Sequence, residues 1–226
     1  RSTARSCVRS NARARSISNA AAASGAVSKQ ILQNTSDKIL SLEADVRETQ
    51  AELDTLAQAL RQANESHGQV VALVGEPGVG KSRLIWEFTH SHRTHGWLAL
   101  ESGSVSYGKA TAYRPLIDLL KTYFRIEERD EARRVREKVI GKLLTLDKTL
   151  EPILPALLAL LDVGAEDTEW QSLHPTQRRG RTMEACKRLL LRESQVQPLA
   201  LIFEDLHWVD SETQAFLNSL VEGLPT

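Results

Sequence analysis

Residues 69–84 read Gln-Val-Val-Ala-Leu-Val-Gly-Glu-Pro-Gly-Val-Gly-Lys-Ser-Arg-Leu, and the order of residue types in them decides the fold. Gly75–Ser82 fits the pattern G-x-x-x-x-G-K-[ST] without a mismatch. The run Gln69–Val74 before it is apolar and rich in β-branched residues, which predicts a buried parallel strand. After it, Leu84, Ile85, Trp86 and Phe88 have the apolar density of a helix packed on a sheet. Strand, glycine loop and helix in that order are the setting in which the pattern cradles phosphate.

The residue types follow from the chemistry. Gly75, Gly78 and Gly80 allow tight turns that point successive N–H groups inward, where a side chain would block a polyphosphate. The helix that starts near Gly80 adds the positive end of its dipole. Lys81 is expected to reach the β and γ phosphates as a point charge, and the Ser82 hydroxyl to ligate Mg²⁺. The expected cofactor-binding stretch is Gly75, Glu76, Pro77, Gly78, Val79, Gly80, Lys81, Ser82 and Arg83. The bland alternative is a glycine turn with an exposed lysine. A dinucleotide loop is excluded, because no G-x-G-x-x-G runs through these glycines.

A second element supplies acids. Leu199–Phe203 is a short apolar run preceded by Pro198 and ending at Glu204-Asp205. Acids at the carboxyl end of a buried parallel strand lie in the crevice where ligands of open α/β sheets bind. One carboxylate there can hold the metal's hydration shell while its neighbour positions or deprotonates the attacking water. Register assigns Glu204 to the metal side and Asp205 to the water side, and the two roles can exchange. The expected catalytic set is Lys81, Glu204 and Asp205; the metal set is Ser82, Glu204 and Asp205. Asp210–Gln214 then opens a helix, with Ser211 and Gln214 at capping-box spacing, so Asp210 reads as a helix start rather than a catalytic group.

Taken together, VVALVGEPGVGKSRL (residues 70–84) and LIFEDLHWVDSETQAFL (201–217) resemble the ATPase module of STAND-like, AAA-related signalling proteins, of the origin-recognition-like AAA type. Such modules occur in class III adenylate/guanylate cyclases with TPR repeats and in large LuxR-type regulators. Residues 101–120 and 177–195 also resemble the cyclase-associated version. The resemblance covers roughly Glu52 to Thr226, and it implies ATP and Mg²⁺ as cofactors, a regulatory switch and slow hydrolysis. It departs from the family at Arg47–Leu53, which keeps Glu52-Leu53 but lacks the Gly-Arg of the usual Val-Gly-Arg-Glu element. The resemblance therefore carries phosphate binding and not a choice between adenine and guanine. The family would next place a sensor strand after Thr226, between the phosphate-loop strand and the Glu204 strand, and then a lid. With Met183 the only methionine, the expectation is a fragment of a longer protein.

The chain of 226 residues is long enough for one α/β domain and a tail. Its 29 basic and 29 acidic residues cancel, so bulk charge favours neither nucleic acid nor a membrane. Cys7 and Cys186 form no C-x-x-C, which fits a reducing, cytoplasmic setting with Cys186 a packed residue. The apolar run Ile153–Leu161 contains Pro155 and is far too short to span a bilayer. Residues 1–30 are Arg-, Ser- and Ala-rich with no acid before Asp37, as in a disordered linker or a transit peptide. Over residues 31–64 a heptad runs through Leu32, Ile39, Val46, Leu53 and Leu60, with Thr35, Leu42, Thr49, Leu56 and Ala63 between. It fits either a dimerising coiled coil or a helix from about Glu48 to Asn64 behind a looser linker.

Residues 65–226 are then the ATPase domain. Trp97–Leu100 predicts a second strand, and Tyr113–Phe124, Glu131–Leu144 and Leu150–Leu161 carry helical apolar spacing within a helical insert beside the nucleotide site. His90, His92 and His95 suit a helix end better than a metal, since no Cys or acid completes a tetrahedral set. Arg178, Arg179 and Arg181 read as a solvated face, with phosphate contact across a subunit boundary as the sharper alternative. The fold expected is thus an α/β P-loop NTPase, a parallel sheet flanked by helices with a helical insert, truncated at its C-terminus and preceded by a helix or coiled coil. Its partners would be ATP, attached output and TPR-like domains, and a second copy of the chain. The rival readings are a coiled-coil interaction module with a relic nucleotide site, and a DNA-dependent AAA ATPase.

Overall fold

The computed structural model describes residues 38, 49–65, 67–103, 111–163 and 168–224. The heptad positions before residue 49 and the basic segment 1–30 lie outside them. The chain divides into two compact units, residues 1–58 and 59–226. In the second, residues 59–64 are helical; in the first, Lys38 and residues 49–58 are, the latter forming helix α1. Leu56 and Ala57 on it are buried.

In the second unit the order is α2 (Lys81–Thr89), β1 (Leu98–Gly103), α3 (Arg114–Phe124), α4 (Ala132–Leu146), α5 (Leu154–Leu160), α6 (Thr168–Ser172), α7 (Pro175–Ser194), β2 (Leu199–Glu204) and α8 (Ser211–Glu222). β1 and β2 pair in parallel from Leu98↔Leu199 to Gly103↔Glu204, with α3 to α7 forming the crossover between them. Side chains alternate along a strand. Leu98, Leu100, Leu199, Leu201 and Phe203 pack into the core on one face. The Ser102 hydroxyl, on that face, donates to the Pro115 carbonyl at 2.8 Å. Glu204 therefore belongs to the opposite face.

The core sits in the helical crossover. Leu116, Leu119 and Leu120 on α3, Val139 and Leu143 on α4, Leu157 on α5 and Leu189 on α7 have no exposed surface. Their spacing of three and four residues puts each set on one stripe of its helix. α3 packs on β1, α7 on β2, and α5 on α7. The helix expected over Leu150–Leu161 is two pieces, a 3-10 turn Lys148–Ile153 followed by α5. Pro152 lies inside the turn and Pro155 in the first turn of α5, where a missing N–H costs nothing.

Two expectations about strands fail. Gln69–Val74 is not a strand; it is irregular, with Val70 62%, Val71 44% and Val74 94% exposed. β2 is half-buried along its whole length rather than fully buried. The physical cause is shared. Among the described residues the sheet has two strands. Neither β2 nor Gln69–Val74 has a further paired strand beside it among the described residues, and an apolar run without a ladder partner for its backbone gains little from burial. Trp86 likewise is 59% exposed on α2, while Leu84 and Phe88 are buried outside the main core cluster.

Candidate functional site

The phosphate loop takes the shape its glycines permit. Gly78 (φ 86°) and Gly80 (φ 98°) lie in the left-handed region that other residues avoid. Gly80 precedes α2, and its carbonyl accepts the first helical hydrogen bond, from Leu84 N–H at 2.9 Å. The first turn of α2 carries no acid and no side-chain cap, so its amides remain available to an anion. The Lys81 ammonium folds back over the loop and donates to the carbonyls of Gly75 (2.9 Å) and Glu76 (2.8 Å). Arg83 pairs with Glu87 at 3.0 Å along the helix surface, its side chain 77% exposed. Val79 is exposed at the loop tip.

The acidic strand end meets this loop. Ser82 Oγ donates to Glu204 Oε2 at 3.1 Å across 122 residues of sequence. A hydroxyl and a carboxylate oxygen at that distance are two hard ligands side by side, the donor chemistry that a Mg²⁺ hydration shell requires. The residues present therefore fit a Mg²⁺-polyphosphate group. Asp205 leaves the strand with φ 53°, exposed, and begins the 3-10 turn Leu206–Trp208, which its carbonyl closes by accepting from Trp208 N–H at 2.8 Å.

Behind the acids stands a buried cluster that sequence reading missed in part. Asp210, 4% exposed, caps α8. Its Oδ1 accepts from Glu212 N–H (3.0 Å), Thr213 N–H (3.0 Å) and Tyr113 N–H (2.9 Å), and its Oδ2 from Thr213 Oγ1 (2.7 Å). The helix start at Asp210 is as expected. The Ser211–Gln214 box is not used, because Asp210 itself reaches the orphan amides. A capping box does occur at His174 and Gln177, ahead of α7. Burial disfavours the Asp210 charge, but the hydrogen bonds from Thr213, Tyr113 and Glu212 outweigh it and hold the carboxyl below its usual range. The Tyr113 hydroxyl donates to Glu212 Oε2 at 3.0 Å; burial and that carboxylate push it up to about 12.

The arginines are spoken for within the described residues. Arg179 pairs with Glu212 at 2.5 Å, Arg181 with Glu169 at 3.3 Å, and Arg178 donates to the Leu173 carbonyl at 3.0 Å. Within the chain these side chains tie α7 to α8, to α6 and to the turn before it. The His90 ring stacks on Trp86 at 4.5 Å and contacts the Trp86 carbonyl at 2.9 Å. Among the described residues no three His, Cys, Asp or Glu side chains converge as a metal cluster. Cys186 is fully buried and its thiol is pushed up to about 12 by desolvation, which makes it a packing residue. Among the described residues no helix is long and apolar enough to cross a membrane.

Comparison with known proteins gives one clear result. No curated protein and no solved structure matches the chain. A family model for the AAA ATPase domain matches residues 47–226, four-fifths of the length and every element of the site described above. The chain therefore belongs to the AAA ATPase domain family, nucleotide-binding modules of the P-loop type that bind ATP with Mg²⁺.

Proposed function

We propose that this chain is the Mg²⁺-ATP-binding regulatory module of a multidomain signalling protein, in which nucleotide state switches an attached output domain of cyclase-like or transcriptional type. The observation that carries the nucleotide part is the 3.1 Å approach of Ser82 Oγ to Glu204 Oε2, directly beside the Gly78–Gly80 turn. The signalling part rests on the resemblance of Glu204–Trp208 and its surroundings to cyclase- and LuxR-associated modules.

In this reading the loop amides and the start of α2 hold the phosphates. Lys81, which donates to the carbonyls of Gly75 and Glu76, would exchange them for the β and γ oxygens and neutralise charge there. Ser82 and Glu204 would hold Mg²⁺, which when bound draws charge from the β and γ oxygens. Asp205, outside the strand register, orients the attacking water and takes its proton. Glu204 is held by pairing with Gly103, whereas Asp205 stands on the turn beyond it, which suits one carboxylate to a fixed ligand role and the other to water. Hydrolysis is slow, as suits a switch. Arg83 remains on the helix surface and contributes field rather than contact.

Calorimetric titration of Mg²⁺-ATP into the chain and into Lys81→Ala, with GTP as competitor, tests this. Saturable binding that Lys81→Ala abolishes is the expected result. Equal binding by both, or none by a chain that circular dichroism shows to be folded, overturns it. Rapid Lys81-dependent turnover by the chain alone overturns the slow-switch part.

A further inference from the structure

The acids of the site stand on an arch. One foot is β2, whose last residue Glu204 is fixed by register with Gly103. The other foot is Asp210. Between them, Asp205 to Trp208 are exposed and Val209 is half-buried. Two internal hydrogen bonds close the span, Trp208 N–H to the Asp205 carbonyl (2.8 Å) and Val209 N–H to the Leu206 carbonyl (3.2 Å). Asp205 itself holds a left-handed backbone, φ 53°, uncommon for a non-glycine residue though Asp tolerates it better than most, and it turns the chain out of the strand.

We propose that Asp210 is a positioning residue for Asp205, holding the water-side carboxylate in place by anchoring the far foot of its arch to the start of α3. This rests on the assignment of Asp205 to the attacking water. A plain helix cap needs only the amides of its own helix. Asp210 takes those of Glu212 and Thr213 and, in addition, the N–H of Tyr113, 97 residues away on the segment that leads from β1 into α3. Tyr113 also adopts a left-handed backbone, φ 61°, and its hydroxyl reaches Glu212 on α8. The carboxylate thus joins the connection after β1 to the connection after β2 at one buried point, five residues beyond Asp205. Thr213, fully buried, holds the second carboxylate oxygen. Glu204 does not depend on this joint, since the sheet holds it.

The consequence is a split. Losing the anchor frees Asp205 and leaves the Ser82–Glu204 pair and the loop intact. Three measurements on the full chain read it: Mg²⁺-ATP affinity, single-turnover hydrolysis, and the fluorine resonance of Trp208 in fluorotryptophan-labelled protein, assigned with Trp208→Phe. Trp170 in the core serves as the internal control. In Asp210→Ala, affinity stays within about two-fold while single turnover falls about ten-fold, as in Asp205→Asn. The Trp208 line broadens or shifts and the Trp170 line does not. Asp210→Asn, whose Oδ1 still accepts all three N–H groups, restores both turnover and line.

Unchanged turnover and an unchanged Trp208 line in Asp210→Ala overturn the proposal. So does a joint collapse of affinity, turnover and the Trp170 line in both variants, which marks a residue needed only for folding. If wild-type turnover is too slow to measure, the Trp208 line decides alone. Failure of the wild type to bind Mg²⁺-ATP overturns the reading of the site and this proposal with it, and that failure shows in the wild-type titration before any variant is compared.

Discussion

The crossover helices and the phosphate-loop limb answer the same hydrophobic rule in opposite ways. α3, α4, α5 and α7 bury their stripes against one another, so that Leu116, Leu119, Leu143, Leu157 and Leu189 are wholly enclosed. The limb from Gln69 to Gly80 is as apolar in its first half, yet Val74 is 94% exposed. A helix satisfies its backbone internally and needs only a neighbour for one face. A strand needs a neighbour for each edge before burial becomes favourable. The lesson is that stability and chemistry are housed apart: the core gathers where helices meet, and the site lies on the sheet face turned away from it.

Polar groups sharpen the contrast. Within the helical region the Tyr123 hydroxyl donates to Glu193 in a short hydrogen bond, and Gln197 donates to the same carboxylate in another. Lys142 stands 3.6 Å over the Tyr123 ring and donates to the Tyr123 carbonyl at 2.6 Å. Burial and Glu193 together push the tyrosine hydroxyl upward, and burial pulls Lys142 downward. This network joins α3, α4 and α7 in the interior. The corresponding polar contacts of the limb, Lys81 to two carbonyls and Ser82 to Glu204, are exposed and exchangeable. Loops that must admit a ligand are drawn from the weakly held parts of a fold.

The largest expected effect lies in the core. Leu157→Ala or Leu119→Ala should cost about 3–4 kcal/mol, read by urea unfolding, because each side chain is fully enclosed and leaves a cavity. A loss below about 1 kcal/mol at both would break the comparison. Next comes Tyr123→Phe, which leaves Glu193, 3% exposed, without its hydroxyl donor; about 1–3 kcal/mol is expected in the same assay.

A pH effect follows. The Asp147 carboxyl is held at about 2, against an ordinary value of 3.8, first by the Arg192 guanidinium at 2.6 Å and then by Thr149. A carboxyl depressed in the folded state stabilises it above the ordinary value, and that contribution is lost as pH falls through the folded one. The urea midpoint of the wild type should therefore drop between pH 3.8 and about 2 more steeply than that of Asp147→Asn. Parallel slopes would show that the pair contributes nothing measurable.

The smallest effect is expected on the limb. Val74→Ser should change stability by less than about 0.5 kcal/mol, since the side chain is already in water. Hydrogen exchange gives the same comparison without mutation. Amides of α3 and α7 should exchange only on global unfolding, and those of residues 69–80 by local opening. Protection of residues 69–74 equal to that of α7 would mean that the segment is paired after all.

Much of this was legible from residue order. Glycines at 78 and 80 demand the loop, since glycine takes φ 86° or 98° without strain. Three- and four-residue apolar spacing places α3 and α4 to within a few residues. The acids at 204 and 205 follow from an apolar run ending at a strand's carboxyl end. Less legible were features that depend on partners distant in sequence. Whether Val70–Val74 forms a strand is decided by what lies beside it, not by its own β-branched residues. That Asp210 caps α8 in place of Ser211, and also holds Tyr113, depends on a meeting of segments 97 residues apart.

The sequence by itself determined the phosphate loop, the acid pair and the helical stripes, because backbone freedom and side-chain periodicity are local properties of the chain. Only the tertiary structure decided that the loop's leading segment stands in water. It alone brought Ser82 against Glu204, buried Glu193 with Tyr123, and anchored the turn bearing Asp205 at Asp210. Hydrogen-bond satisfaction and burial are properties of pairs, and the partners in these pairs lie 70 to 122 residues apart.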